Sequence, residues 1–164
     1  MSEAIWTASI VAGIKTRLED RLGDVLLLIA ADGGSSVSAP VSFEVRDDYS
    51  DVSALPAVIV RTDGEVESDF LLPNAYRLQV PLQVVCVVSP EANPITPDDT
   101  ARTYCRGVVN VLTETATVDD IDGLFFVGEV RTRIEQAGAG TTRKWRRAAI
   151  VEATAYVATT RELT

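Results

Sequence analysis

The chain contains no histidine, and this absence narrows the functions that it can carry. Histidine is the commonest general base and metal ligand in proteins, so the usual serine and cysteine triads and histidine-based metal sites are excluded. Catalysis by carboxylates alone remains open. The phosphate-binding patterns Gly-x-x-x-x-Gly-Lys-Ser/Thr and Gly-x-Gly-x-x-Gly do not occur either, which argues against the common nucleotide-binding loops.

Cysteine and long apolar runs are also scarce. Two cysteines do not make a disulfide framework. We interpret Cys86 and Cys105 as reduced core residues, with a contact or bridge between them as the alternative. The longest apolar run, residues 25–31, is far shorter than the ~20 residues that cross a bilayer. The first residues lack a basic secretory signal, so we expect a cytoplasmic origin.

The chain has fewer basic than acidic residues: 15 Lys and Arg against 24 Asp and Glu, which gives a net charge of −9. Proteins that grip nucleic acid through its phosphates need clustered basic residues, so this balance argues against such a role. It is compatible with a protein that should not adhere to DNA, or with one lining a passage through which DNA slides. The 164 residues are enough for a single domain, 1–164, with a real core.

A long alternating segment, residues 76–88, is the most informative positive feature. Its apolar side chains share one face, and Arg77, Gln79 and Gln83 lie on the other, as in a strand half-buried on a sheet. Thirteen residues span about 43 Å, whereas a compact chain of this length is about 40 Å across. Residues 124–135 and 144–158 form comparably long candidates. Strands that reach or overrun the domain edge suggest a sheet built partly for neighbouring copies.

Helical spacing predicts two helices. The first carries apolar residues at i+4 spacing from Ile10 to Leu22, and Gly23 is its natural stop. Residues 25–31 are ambiguous between a short buried strand and a further helical turn. The second helix begins at Thr96-Pro97 and continues to about Thr115. Gly107 within it can allow close helix–sheet contact.

Further strands are predicted at 41–45 and 57–61, and the last two long strands are joined by a glycine-rich loop, 136–142. Pro81 within the long strand indicates a sheet edge or a bulge. Helices and strands do not alternate regularly. We therefore expect an α+β fold, a mainly antiparallel sheet with helices on one face and a long C-terminal β-ribbon.

Two charged clusters are candidate interaction sites. The basic cluster surrounds Trp145 and could meet single-stranded nucleic acid, form a solvated hairpin base or contact protein. The acidic loop is a solvated face, a partner surface or a channel lining. We expect the basic cluster of one copy to face the acidic loop of its neighbour, offsetting repulsion between acidic subunits. The basic residues are Arg143, Lys144, Arg146 and Arg147, and the acidic ones are Asp47, Asp48 and Asp51.

One spacing imitates a calcium loop. Asp120, Asp122, Gly123 and Glu129 occupy its third, fifth, sixth and twelfth positions. The first position would be Val118, whose side chain cannot bind a cation. We interpret the segment as an ordinary acidic turn, and we expect neither a metal nor another cofactor.

The order of these elements resembles the tail terminators, small tail-completion proteins of tailed bacteriophages. The resemblance rests on the first amphipathic helix, the strand containing residues 55–60, the long strand 76–88, the helix start at 97–102 and the terminal β-ribbon. It covers most of the chain and implies a non-enzymatic homo-oligomer, a hexameric ring that caps the tail tube and provides the surface for head joining.

The same resemblance implies the partners and the location. The ring would contact the tail tube protein and a head-completion or neck protein, with DNA passing through without specific binding and no membrane involved. It would reside at the tail–neck junction of the virion, after assembly in the host cytoplasm. The alternatives are a head-side neck or head-closure protein, a tail tube subunit, and a small carboxylate-dependent enzyme or ligand-binding module.

Overall fold

A computed structural model describes residues 3–46, 54–62, 67–72, 75–88, 97–114, 124–137 and 146–160. Within these ranges the chain forms two helices and a six-stranded, mostly antiparallel sheet, which confirms the α+β expectation. In chain order the elements are α1 (Glu3–Ala31), β1 (Ser42–Val45), β2 (Ala57–Thr62), β3 (Glu67–Leu72), β4 (Ala75–Val88), α2 (Pro97–Thr113), β5 (Leu124–Ala137) and β6 (Arg146–Thr160).

The strands are arranged in the order β1-β2-β4-β6-β5. β4 pairs with β6 along all of its 14 residues, from Ala75 opposite Thr160 to Val88 opposite Arg147. The other side of β4 is shared, because β3 pairs with residues 75–79 and β2 pairs with residues 82–87. Only β1 and β2 run parallel in the described sheet. The long strands predicted from alternation are therefore its centre.

Pro81 marks neither of the expected features, a sheet edge or a bulge: β4 has neighbours on both sides and pairs with β6 without a shift in register. Proline lacks a backbone N–H and is unfavourable in a fully paired strand. Pro81 lies opposite Thr154 of β6, yet on the other side neither β2 nor β3 pairs with Val80 or Pro81 among the described residues. The proline therefore occupies the junction between two successive partner strands.

Both helices pack on one face of the sheet, as the sequence predicted. The main core combines apolar side chains of α1 and α2 with alternate residues of β2, β4 and β6. The face of β4 that enters this core carries Val80, Leu82, Val84, Cys86 and Val88. α1 lies against β1 and β2, and α2 lies against β4, β5 and β6. Burial of these side chains is the main source of stability in such a layer.

Helix α1 does not stop at Gly23. It continues to Ala31, so the ambiguous segment is helical, and Val25, Leu26 and Ile29 extend the buried stripe. The stop is at Gly33, whose φ of +88° is the left-handed conformation that ends many helices. The Gly34 N–H donates to the Ile29 carbonyl at 2.9 Å. A glycine inside a helix costs about 1 kcal/mol relative to alanine, and at Gly23 the packing of α1 outweighs this cost.

Gly107 of α2 permits a close contact, but with the other helix and not with the sheet. A Cβ atom at this position would lie 2.9 Å from Leu26 Cδ2 and 3.1 Å from Leu22 Cδ1 of α1. Carbon atoms in protein interiors pack at about 3.5–4.0 Å. The missing side chain therefore sets how closely α1 and α2 approach each other.

The structure adds one strand and decides two smaller expectations. Strand β3 was not predicted, because its sequence has no clear alternation. Gln136 and Ala137, predicted as loop, belong to β5, where they pair with Arg147 and Arg146, and the rest of the predicted loop lies outside the described residues. Cys86 and Cys105 are both buried free thiols, as interpreted from the sequence.

We expect the substitution Gly107→Val to destabilise the fold by about 1–3 kcal/mol, because a branched side chain would overpack the contact with Leu22 and Leu26. Urea denaturation measures the free energy of unfolding. Asn110→Val is the control, because Asn110 is an exposed residue of the same helix and of similar helix propensity to valine. An equal loss in both variants would contradict the packing argument.

Candidate interaction surfaces

The sequence-predicted charged clusters are only partly described. Arg146 and Arg147 begin β6, with Arg147 opposite Val88 of β4 and Gln136 of β5. The Arg147 side chain is half-buried. Arg143, Lys144, Asp47, Asp48 and Asp51 lie outside the described residues. The contact between basic cluster and acidic loop therefore stays a prediction.

The calcium-like spacing is likewise outside the described part of the chain, except for Glu129 in β5. Among the described residues, no group of three or more Cys, Asp or Glu side chains is placed to hold a metal ion. Within the same residues, neither helix combines the length and hydrophobicity of a membrane-spanning segment.

The sheet has a second face, opposite the helices, and part of it is apolar. Six residues with almost no exposure form a small cluster there, next to Leu55. They come from the three central strands and alternate with the residues of the main core. The chain itself covers this cluster, so it is not an exposed hydrophobic patch. Its members are Ala57, Ile59, Val85, Val87, Ala148 and Ile150.

Beside this cluster, four polar side chains form a row across β2, β4, β6 and β5. Arg61 Nε donates to Gln83 Oε1 at 2.5 Å, and Gln83 Nε2 donates to Glu152 Oε1 at 3.4 Å. The same Glu152 oxygen accepts a hydrogen bond from Arg133 Nη1. Arg133 Nε also donates to Glu135 Oε1 at 2.7 Å. We call Arg61, Gln83, Glu152 and Arg133 the polar row.

The polar row exists because of the strand register. Arg61 is opposite Gln83 and Gln83 is opposite Glu152, which aligns a cation, an amide and an anion. Gln83 is only 2% exposed, so its amide must be hydrogen-bonded on both sides to offset its burial. Sequence alternation placed Gln83 on the polar face of its strand. The other members were missed because the pairing of distant strands is not visible in a single segment.

A second charged cluster joins the two helices. Arg17 Nε donates to the Val111 carbonyl at 3.3 Å, near the C-terminal end of α2, and its Nη2 lies 3.7 Å from Glu114. Arg21 Nε donates to Glu114 Oε2 at 3.3 Å. The last turn of α2 contains no basic residue of its own. The arginines of α1 therefore supply the positive charge that a helix C-terminus favours.

The hydrogen bond from Arg21, and then the charges of Arg21 and Arg17, lower the pKa of Glu114 below its usual range. The same hydrogen bond raises the pKa of Arg21. Both shifts favour the ionised forms. Arg21 also lies 3.7 Å from Asp24 within α1. We call Arg17, Arg21 and Glu114 the helix clamp.

A groove of about 530 Å³ runs between α2 and β5. Half-buried Val109 and Ile134 contribute apolar surface, and Cys105 lies below with only 7% exposure. Burial raises the pKa of Cys105 to about 11, so its thiol is protonated at neutral pH. The charged residues that line the groove are three arginines, of which Arg102 and Arg133 also pair with carboxylates of the same chain. We call it the arginine groove, and it is lined by Arg102, Arg106, Arg133, Asn110, Thr132, Val109, Ile134 and Cys105.

A second groove, of about 670 Å³, lies between α1 and β1 and has mixed charge. Lys15 and Arg46 line it together with Glu44. Arg46 Nη1 is 3.2 Å from Glu44, and Lys15 is 3.2 Å from Glu19. Because each described cation has an acidic neighbour, this groove offers little net charge to a partner.

Helix α1 also exposes two large apolar residues. Leu27 is 70% exposed and Leu28 is 64% exposed, although the rest of the apolar run 25–31 is mostly in or near the core. Three exposed acidic residues lie close in helical position or at the following turn: Asp20, Asp24 and Asp32. We call Leu27 and Leu28 with these three residues the leucine knob. The knob is therefore a small exposed apolar surface with an acidic border.

Removing the central amide of the polar row should destabilise the sheet. The substitution Gln83→Met takes away an acceptor for Arg61 and a donor to Glu152 while keeping a similar length. We expect a loss of about 1–3 kcal/mol in the free energy of unfolding, the cost of hydrogen bonds to charged groups. Gln79→Met is the matched control on the same face of β4. A loss at position 83 no larger than at position 79 would contradict a stabilising row.

The helix clamp should weaken in acid. Because the folded pKa of Glu114 is lowered, its contribution is complete above the unfolded value of about 4.3 and is lost as pH falls through the folded value. Glu114→Gln should therefore slightly lower the free energy of unfolding at neutral pH. In acid, where Glu114 of the wild type is protonated and neutral, the variant and the wild type should be equally stable. Urea unfolding at neutral pH and at about pH 2–3 measures this.

Glu19→Gln is the control for that experiment, because among the described residues Glu19 forms an ion pair only with Lys15 of its own helix. A difference between wild type and Glu114→Gln that persists unchanged in acid would assign the effect to packing instead of charge.

No protein-family model matches this chain, and a search of curated proteins finds no significant similarity. Function is therefore inferred from the residues, the strand pairing and the charged surfaces described above. The resemblance to tail terminators, which rests on the order of elements, enters as a proposal.

Proposed function

We propose that this chain is a non-enzymatic structural subunit that assembles into a ring, in the manner of a phage tail terminator. The observation that carries the proposal is the length of β4, β5 and β6, which contain 14, 14 and 15 residues. Fourteen residues span about 46 Å, against about 40 Å for the diameter of a compact chain of this size. Such strands offer surface for neighbouring copies.

The two ends of the sheet support the same proposal. β1 and β5 are the outermost strands of the described sheet, and a groove lies between each of them and a helix. The two edges differ in charge and shape. Contacts between unlike surfaces are heterologous, and they generate closed rings when the rotation between subunits closes.

Charge supports the relation to DNA that the proposal includes. A net charge of −9 disfavours tight binding to phosphates, which suits a ring through which DNA passes without specific contacts. The ring would cap the tail tube, stop its polymerisation and present a surface to the head-completion protein. A head-side neck protein and a tube subunit remain the alternatives within the same class.

Assembly is the test of this proposal. We expect the free protein to be a monomer or a weak oligomer at low concentration, because head-to-tail contacts of low affinity assemble fully only on a template. Light scattering over a concentration series measures the first property. Electron microscopy of tails carrying the protein should reveal a ring, of about six copies if the resemblance extends so far, at the end of the tube.

The control uses tails that already carry a terminator. The protein should add no further ring to them, because the end of the tube that acts as the template is already occupied. A stable dimer both in solution and on tails would contradict the proposal. A monomer that binds a small acidic ligand and ignores tails would favour the ligand-binding alternative.

A further inference from the structure

We propose that the leucine knob of one copy docks into the arginine groove of a second copy, and that this contact joins successive subunits. The proposal deepens the proposed function, on which it rests, by naming the two surfaces that meet. The occupant of the groove is thus Leu27 and Leu28 of α1, with their acidic border.

The apolar parts of the two surfaces match. Leu27 is 70% exposed and Leu28 is 64% exposed, so burying them removes apolar area from water. The groove presents Val109 and Ile134, both half-buried, as apolar surface. Grooves of about 300–1,000 Å³ accommodate drug-sized ligands, and this one, at about 530 Å³, can therefore receive two leucine side chains.

The charges of the two surfaces are opposite. The knob is bordered by exposed carboxylates, and Asp20 and Asp32 have no ion pair among the described residues. The groove is bordered by exposed Arg102 and Arg106. Arg102 pairs with Asp99 of its own helix at 3.2 Å, whereas Arg106 has no ion pair among the described residues. Complementary borders orient a contact and oppose repulsion between acidic subunits.

The second groove is a weaker candidate for the same occupant. Lys15 and Arg46 there both lie beside carboxylates of the same chain. In the arginine groove Arg102 and Arg133 do so too, but Arg106 has no ion pair among the described residues, so an acidic knob would gain more there. α1, which carries the knob, packs against α2 as well as β1 and β2, but no described residue of α1 lines the arginine groove. Knob and groove therefore do not overlap, and each subunit can use both at once.

Disulfide trapping tests the contact directly and detects weak association. The variant Leu27→Cys is mixed with Asn110→Cys, because Asn110 is exposed on the wall of the groove. Under a mild oxidant the mixture should give one covalent dimer, and the double variant should give a ladder. The native thiols are buried, so the wild type under the same oxidant should stay monomeric.

The matched control replaces the groove partner. Ala12→Cys is also exposed and helical but lines the other groove. Its mixture with Leu27→Cys should give a much lower yield of dimer. Adding Arg106→Glu to the Asn110→Cys variant should lower the yield about 1.5- to 5-fold, as expected for one exposed ion pair. Adding Asp20→Lys to the Leu27→Cys variant should then restore the yield.

Circular dichroism of each variant establishes that it is folded before the yields are compared. Equal trapping through Ala12→Cys, or a yield that Arg106→Glu leaves unchanged, would overturn the proposal. So would trapping of Asn110→Cys to a tail tube subunit in place of a second copy. If the wild type forms rings on tails but the Leu27→Cys and Asn110→Cys variants, each of which also forms rings, do not crosslink, this contact alone is overturned and the proposed function stays in place.

Discussion

The unbroken antiparallel pairing of β4 with β6 is the constraint on which the rest of the structure depends. It joins Ala75–Val88 to a strand about 60 residues later in the chain without a shift in register. Every other strand is placed by this pair, since β2 and β3 divide the free side of β4 and β5 pairs along β6. A slip of one residue would exchange the two faces of the sheet and separate the core from the helices that cover it.

The two faces of the β4–β6 pair differ in the side chains that they carry. Toward the helices, β6 presents Ala149, Val151, Ala153 and Ala155, and such small residues let α2 lie close to the sheet. Toward the other side, the same strand presents Ala148 and Ile150 and then polar residues beginning with Glu152. The polar row therefore begins where the second apolar cluster ends. One strand thus supplies a packing surface, a buried patch and a charged surface within ten residues.

Several elements could be predicted from the sequence because their signals are local. The alternation of residues 76–88 and the capped, amphipathic start of α2 were sufficient for β4 and α2. The predicted end of α1 at Gly23 was wrong because the buried apolar stripe continues beyond this glycine and keeps the chain helical. The helix ends at Gly33, which has a left-handed conformation. The prediction for Pro81 was wrong because the unpaired position beside it arises where the pairing of β3 with β4 ends and that of β2 with β4 begins, and a single segment does not show this. The helix clamp, the polar row and the arginine groove depend on such pairings too, and alternation or helical spacing within one segment cannot locate them.

The arginines of this acidic chain also bear on how the proposed ring would avoid unspecific pairing at the open edges of the sheet. An outer strand such as β5 exposes backbone groups that could pair with any other strand, and charged side chains limit this. Arg131 and Arg133 are both exposed on β5, and Arg133 is tied inward to Glu152. Indiscriminate addition of strands at this edge is thereby disfavoured, whereas a side-chain surface with the right charge can still approach. In the proposed ring, these residues favour contacts through side chains beside the edge over strand pairing at the edge itself.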